Sequence, residues 1–289
     1  MSAEEIYRSY TDLLGDPIAK REAELIKRIL SGGYRNIVVC TGAGASTNSG
    51  IPDYRSPTGL FAAMMKLYNV SSPEEIFTRS FQDSHDLAND PVYQDHMKGI
   101  EEATPCLAHK FCTWLHDKGW LRRVYTQNVD GLHQKAGLPE DTVVEFHGSL
   151  TKGNVVMYGE TIDQTDIDQV MDDFELNPTP VDMMIAMGTS LQVAPFCAIP
   201  NLVHPTCTRV LVDLFPNNAF TNPFSKRARN YDYYSGGGIS SSSVATFRKG
   251  RKKRRVSLRP QWGRRSKYKD QYIITSDVDD WVKQVMDQN

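Results

Sequence analysis

The 289-residue sequence predicts an α/β protein: a doubly wound parallel sheet carrying a smaller, mainly helical lobe. Three observations predict it. Short apolar runs recur along the chain and are continuous rather than alternating, the pattern of strands buried on both faces. Amphipathic helical stretches fall between them, which implies βαβ connectivity. Several runs stop abruptly at segments rich in Gly, Asn, Asp and His, and a doubly wound sheet gathers its ligand-binding loops at such strand ends.

Taken in order, residues 16–30 set Ile18, Leu25, Ile26 and Ile29 among charges, an amphipathic helix closed by Gly32-Gly33. Asn36-Ile-Val-Val-Cys-Thr41 is the first buried strand, and glycines then lead into a helix-compatible stretch. Residues 104–119 read as another amphipathic helix, ended by Gly119. Strands follow at 121–126, 143–146, 183–187, 209–214 and 271–275, and residues 279–286 read as a helix. Residues 56–103 and 151–180 break this alternation and are expected to form the smaller lobe. The sheet domain then takes 1–55, 104–150, 181–216 and 271–289.

Composition narrows the class. A hydrophobic content of 40% and a charged content of 24% are those of a soluble globular protein. No apolar run approaches a membrane span, so no membrane partner is expected. Residues 1–14 carry acids early and lack an apolar core, so they do not read as a secretory signal. The five cysteines, Cys40, Cys106, Cys112, Cys197 and Cys207, are odd in number and include no C-x-x-C pair. They read as reduced thiols rather than as a disulfide framework or a zinc ribbon.

The net charge of −2 conceals an asymmetry: residues 226–269 carry +14 and the rest of the chain −16. Within 217–270 stand Ser235-Gly-Gly-Gly-Ile-Ser-Ser-Ser-Ser243 and Arg248-Lys-Gly-Arg-Lys-Lys-Arg-Arg255, a composition that buries little apolar surface. A flexible basic insertion is expected there. Its cation run reads as a nuclear-import signal, with nucleic acid or chromatin as a partner class, and Arg254-Arg-Val-Ser257 reads as a site for a basic-directed kinase. The expected location is nuclear, cytoplasmic or both.

Five segments at strand ends carry the chemistry. Thr41-Gly-Ala-Gly-Ala-Ser46 follows the first strand; its glycines let backbone N–H groups approach a phosphate, helped by the positive end of a following helix. Thr47 stands where the third glycine of the dinucleotide fingerprint would be, so this motif alone is weak. Gly50-Ile-Pro-Asp-Tyr-Arg55, Tyr125-Thr-Gln-Asn-Val-Asp-Gly-Leu-His133, Glu145-Phe-His-Gly-Ser149 and Gly188-Thr-Ser-Leu-Gln-Val-Ala-Pro-Phe196 complete the set. All would converge on one cleft.

In this order, the segments from Gly42 to Ser46, Gly50 to Arg55, Thr126-Gln-Asn-Val-Asp130, His147-Gly148 and Gly188-Thr-Ser190 resemble the successive motifs of the sirtuins. That family holds the NAD-dependent protein-lysine deacylases, with a Rossmann-like domain. The resemblance runs from about Lys27 to Phe215 and resumes near Tyr272. It implies an enzyme that consumes NAD and an acetylated protein or peptide, and releases nicotinamide, O-acetyl-ADP-ribose and free lysine. It further implies that Gly42, Ala43, Gly44 and Ser46 form the pyrophosphate turn, and that Ile51, Asp53, Tyr54 and Arg55 shape the cofactor loop and nicotinamide pocket. Gln127 and Asn128 would hold the nicotinamide ribose, with Asn128 and His147 catalytic, Asp130 facing the carboxamide and His147 the general base. Gly188, Thr189, Ser190, Asp213, Asp277 and Val278 would serve the adenosine side. Val156, Tyr158, Gly159 and Val193 would line the acyl-lysine tunnel. The alternatives are a protein mono-ADP-ribosyltransferase on the same scaffold and a weakly active NAD-binding scaffold.

The chain also departs from the family. Sirtuins usually insert two cysteine pairs after the His-Gly strand; here residues 149–154 alone join it to Val155-Val-Met-Tyr-Gly-Glu160, with no cysteine nearby. No metal is expected, and since structural zinc supplies folding energy, its absence bears on the stability of the small lobe. Tyr54 and Tyr158 replace Phe. Asp213 replaces Asn and would repel a 2′-phosphate, favouring NAD over NADP. Of the other histidines, His85, His96, His116 and His204 read as surface or core residues, His109 as packing or capping and His133 as structural. Leu60-Phe-Ala-Ala-Met-Met65 reads as lobe packing.

Overall fold

The computed structural model describes residues 17–54, 59–176, 179–215, 244–249, 252–257 and 270–287. Six strands, β1 (Ile37–Thr41), β2 (Leu121–Thr126), β3 (Val143–Glu145), β4 (Met183–Met187), β5 (Thr208–Asp213) and β8 (Gln271–Thr275), form one sheet ordered β3-β2-β1-β4-β5-β8. Every pairing in it is parallel. The order reverses at β1, the switch point at which a doubly wound sheet opens a crevice.

The continuous apolar runs are explained by what covers the sheet. Ile37 and Val39 of β1, Met183, Ile185 and Met187 of β4, and Val210 and Val212 of β5 enter one buried cluster. Their neighbours Val38, Cys40, Met184, Ala186 and Leu211 enter another. Alternate residues point to opposite faces of a strand, so both faces are dry. The first cluster takes in α1 (Pro17–Leu30) through Leu25 and Ile29, α6 (Leu107–Asp117) through Phe111 and Leu115, and α9 (Val278–Met286) through Trp281 and Val285. The second is closed by Phe196, Ile199 and Val170, the last from α8 (Gln164–Met171).

Between β1 and α6 lie α2 (Leu60–Tyr68), α3 (Pro73–Ile76), α4 (Arg79–His85) and α5 (Pro91–Glu102). They share a separate cluster of Leu60, Met64, Ile76 and Leu87, with Tyr54, Phe77, Phe81 and Tyr93 against it. Asp90 begins α5 by accepting from the N–H groups of Val92 and Tyr93, and its other oxygen accepts from the Tyr68 hydroxyl at 2.7 Å, tying α2 to α5.

Within the segment expected to be a flexible insertion, the described residues form an antiparallel pair, β6 (Val244–Lys249) and β7 (Lys252–Ser257), paired with each other and not with the main sheet. Val-Ala-Thr-Phe and Arg-Arg-Val-Ser carry β-branched residues, and Gly250 stands between the strands in the sequence. The remaining insertion lies outside the described residues. No helix among the described residues is long and apolar enough to cross a membrane.

Candidate functional site

The loops after β1 and β4 are pressed together. The Gly44 amide donates to the Gly188 carbonyl at 2.9 Å. A Cβ on Gly188, whose φ is +60°, would stand 2.2 Å from the Ala45 nitrogen, and one on Gly44 would stand 2.8 Å from the Gly188 Cα. These glycines are therefore required first by backbone meeting backbone. The sequence leads one to expect a helix after this turn. The structure has instead two single 3-10 turns, Ala43–Ala45 and Thr47–Ser49, because the chain must stay tight enough to meet β4. The partial positive charge expected of a helix start reduces to the N–H groups of the turn itself.

Behind the turn lies a buried polar network. Asn128 donates through Nδ2 to the Gly42 carbonyl at 3.1 Å and to the Ser46 hydroxyl at 2.9 Å. The Ser46 hydroxyl donates to Asp130 at 2.7 Å, and the other Asp130 oxygen accepts from the Leu132 amide. Ser46 is thus committed inward, 1% exposed, rather than lining the surface of the turn. His109 approaches Ser46 at 3.4 Å, and Cys106 donates to the Ala45 carbonyl. Thr41 donates to Thr126, meets His133 Nε2 at 3.0 Å, and Thr126 accepts the Asn128 amide. Burial holds His109 below the usual imidazole range and His133 well below it, so both stay neutral.

His147 stands two residues after the end of β3, beyond Phe146. Its Nδ1 lies 3.1 Å from the Gln127 carbonyl oxygen. A carbonyl only accepts, so Nδ1 carries the ring proton and Nε2 the lone pair, the tautomer of a general base. The Gln127 side chain is held in turn, its Oε1 accepting from the Thr189 hydroxyl at 2.9 Å.

Ala43, Gln127, Asn128 and His147 line one cavity of about 160 Å³, whose walls include Tyr54, Val156, Tyr158 and Val193. Eight of the residues expected at the site meet there. Others are placed elsewhere. Ile51 packs under it with Ile100 and Leu132, and Asp53 does not line it, its carbonyl accepting from the Leu60 amide. Asp277 caps α9 and accepts from Asn48, and Val278 belongs to the core, so neither side chain is in the cavity. Asp213 ends β5 half-buried, its carboxyl raised by burial, and accepts from the Phe215 amide. Gly159 and Ser190 do not line the cavity, and Arg55 lies outside the described residues.

Much of the wall carries no motif in the sequence: Phe61, Gln82, Tyr93, His96, Met97 and Ile100 come from the helices of the small lobe and Phe77 from the turn between two of them. Phe61, read as packing, does both. Its ring packs tilted against Tyr54 and Phe77, at 5.5 and 5.0 Å between ring centroids, while it faces the cavity. His96, read as surface or core, sits against Tyr54 at 5.7 Å, and burial keeps it below the imidazole range.

The residues present do not suit the zinc that the resemblance implies. All five cysteines are buried in the core, spread between opposite faces of the sheet. Burial pushes the Cys197 and Cys207 thiols up to about 12 and raises the other three as well, the reverse of what a thiolate ligand needs. Among the described residues no group of three or more His, Cys, Asp or Glu is placed to hold a metal ion.

Comparison with known proteins points one way. Residues 42–153 match the Sir2 family. The chain is 34% identical over 224 residues to the zebrafish (Danio rerio) protein named NAD-dependent protein deacetylase sirtuin-2, covering 64% of this chain and 57% of that one. It is 31% identical over 238 residues to the Schizosaccharomyces pombe NAD-dependent protein deacetylase hst2, covering 70% and 68%. The chain thus spans less than two thirds of the zebrafish protein's length. A solved Sir2 structure, described with a deacetylated p53 peptide and 3′-O-acetyl ADP ribose, superposes with a TM-score of 0.61 at 22% identity, covering 92% of this chain and 98% of that one, and shows the same fold.

Proposed function

The chain belongs to the Sir2 family, and on that premise we propose that it is an NAD-dependent protein-lysine deacetylase. The observation that carries the reading is His147: its tautomer is set by the Gln127 carbonyl, and it shares a cavity wall with Asn128 and with Val156, Tyr158 and Val193. A base, a ribose-holding amide and an apolar slot for an acyl chain meet in one place.

The residues present fit NAD. The crossing of Gly42, Gly44 and Gly188 leaves no room for a Cβ, so bare backbone stands at a strand-end turn where a pyrophosphate can approach closely. NAD, when bound, supplies an ADP-ribosyl group that parts from nicotinamide and takes up the acyl group. The protein's part is largely positioning. Asn128 is held by Gly42, Ser46 and Thr126 and presents a fixed edge to the ribose. Ala43 and Tyr54 shape the nicotinamide end. Asp130, fixed by Ser46 and Leu132, sets the rear of that pocket. Thr189 reaches the ribose side through Gln127. His147 Nε2 would accept the proton of a ribose hydroxyl.

We further assign Asp213, Asp277 and Ser190 to the adenosine end, and the basic insertion to nuclear import with nucleic acid or chromatin as a contact; a nuclear and cytoplasmic distribution follows. The cation run at 248–255 supports that assignment. Neutralising the run while imaging the tagged protein tests it: an unchanged distribution removes the import role.

The decisive test of the reaction is mass spectrometry of an acetyl-lysine peptide incubated with the protein and NAD. NAD-dependent appearance of the free-lysine peptide, nicotinamide and O-acetyl-ADP-ribose supports the reading. ADP-ribose on a protein acceptor with the acetyl group retained would replace it with the transferase alternative.

A further inference from the structure

The stretch that replaces the metal module is built. β3 is a three-residue strand at the edge of the sheet, paired with β2 alone, and it leads straight into His147. Residues 149–154 fold back on it. The Ser149 amide donates to Asn154 Oδ1 at 2.9 Å, the Asn154 amide to the Ser149 carbonyl at 3.2 Å, and the Leu150 amide to the Val129 carbonyl at 3.0 Å. Gly148, at φ +73°, lets the Asn154 carbonyl pass where a Cβ would stand 2.0 Å away. The chain leaves the turn by returning to His147, whose carbonyl accepts from the Val156 amide at 2.9 Å. The turn therefore binds the general base to the cavity wall.

One cation secures this turn to the sheet. Lys152 Nζ lies 2.8 Å from Glu140 Oε1 and 3.1 Å from Glu145 Oε2. The Glu145 side chain, on the last residue of β3, is only 6% exposed. A carboxylate that dry needs an opposite charge. The surroundings are otherwise acidic. Asp166 of α8 faces the same group, its carboxyl raised to about 6 first by burial and then by Asp163 and Glu145, with Lys152 drawing it back.

We propose that Lys152 is a positioning residue that fixes the His147 segment on β3 through Glu145, so that this chain closes its small lobe without zinc. The catalytic part of this inference rests on the deacetylase reading; the structural part does not. A plain surface lysine would be replaceable without effect, whereas this one compensates a buried charge two residues from the base.

The test uses the whole 289-residue chain purified without added metal. Elemental analysis should find less than about a tenth of an equivalent of zinc, and the unfolding midpoint should not move with EDTA. Lys152→Met should lower that midpoint by about 3 °C or more and kcat by about tenfold, with KM for NAD little changed. Lys152→Arg should restore both. Lys152→Met with Glu145→Gln removes the uncompensated charge, so the midpoint should recover while kcat stays low. Stoichiometric zinc whose removal lowers the midpoint would overturn the inference, as would a Lys152→Met protein with the parent's midpoint and kcat. A parent that never deacetylates defeats the functional reading instead, and metal content and midpoints still decide the clamp.

Discussion

His147 and Gln127 meet through a 3.1 Å contact between the imidazole Nδ1 and a backbone carbonyl. The acceptor is main chain and only accepts, so the neutral ring carries its proton on Nδ1 and its lone pair on Nε2. His147→Ala should therefore reduce deacetylation by about 10²-fold or more while NAD still binds, since loss of a general base costs at least that much. Single-turnover rates beside calorimetric NAD binding check it. Near-normal turnover would remove His147 from the mechanism.

Gly188 and Gly50 offer a paired test of the strand-end cleft. Both have positive φ, but a Cβ at Gly188 would meet backbone at 2.2 and 2.4 Å, whereas at Gly50 nothing lies within 4 Å. Gly50→Ala should incur only the strain of its backbone, about 1 kcal/mol. Gly188→Ala must also force the β1 and β4 loops apart. Its unfolding midpoint should fall by about 5 °C or more, and NAD affinity should fall with it. Equal effects of the two substitutions would mean that the close crossing is not what holds the turn.

The sheet was legible because its strands are unbroken apolar runs. Leu121–Thr126, Met183–Met187 and Gln271–Thr275 lie where the sequence places them. The motif residues were legible because they sit directly after those strands. The helical walls of the cavity were not. Phe61, Tyr93, Met97 and Ile100 lie on helices of the small lobe and Phe77 just after one, and the inward faces of these helices carry the same residue types for packing and for lining a slot. A single sequence holds no sign of which of the two a buried aromatic does. The link from Ser46 to Asp130, Asn128 and His109 was equally hidden, because its members stand 63 to 84 positions from Ser46. The missing helix after β1 shows local propensity yielding to the approach of β4.

His109 and His133 should weaken the fold as the solution turns acid. Their rings lie 4.9 Å apart, and burial lowers both below the usual 6.5. In the unfolded chain each takes a proton near pH 6.5; in the folded chain it does so only at lower pH. The unfolded state therefore binds more protons below that point, and stability falls as pH drops through about 6.5. At full effect the slope approaches 1.4 kcal/mol per pH unit for each histidine. His133→Gln, which keeps a donor for Thr41, should flatten the fall in unfolding midpoint between pH 7 and 5. A midpoint that does not decline over that interval would show that the pair titrates normally.

The described residues lining the cavity include no Lys or Arg. Its walls are Phe61, Phe77, Met97, Ile100, Val156 and Val193, with the hydroxyls of Tyr54, Tyr93 and Tyr158, and His96 is kept neutral by burial. A succinyl chain would bring a carboxylate into this slot with no cation to receive it, and desolvating an unpaired carboxylate costs several kcal/mol. The tyrosine hydroxyls recover part of that as donors, at roughly 1–3 kcal/mol for a bond to a charged group. An acetyl group meets no such penalty. Acetyl-lysine peptide should therefore turn over at least about tenfold faster in kcat/KM than the matched succinyl-lysine peptide, since even 1.4 kcal/mol of net penalty gives that ratio. Competition between the two peptides in one reaction, read by mass spectrometry, measures the ratio directly. A succinyl preference would require a cation in the slot from residues outside those described, and Arg55 would be the first to replace.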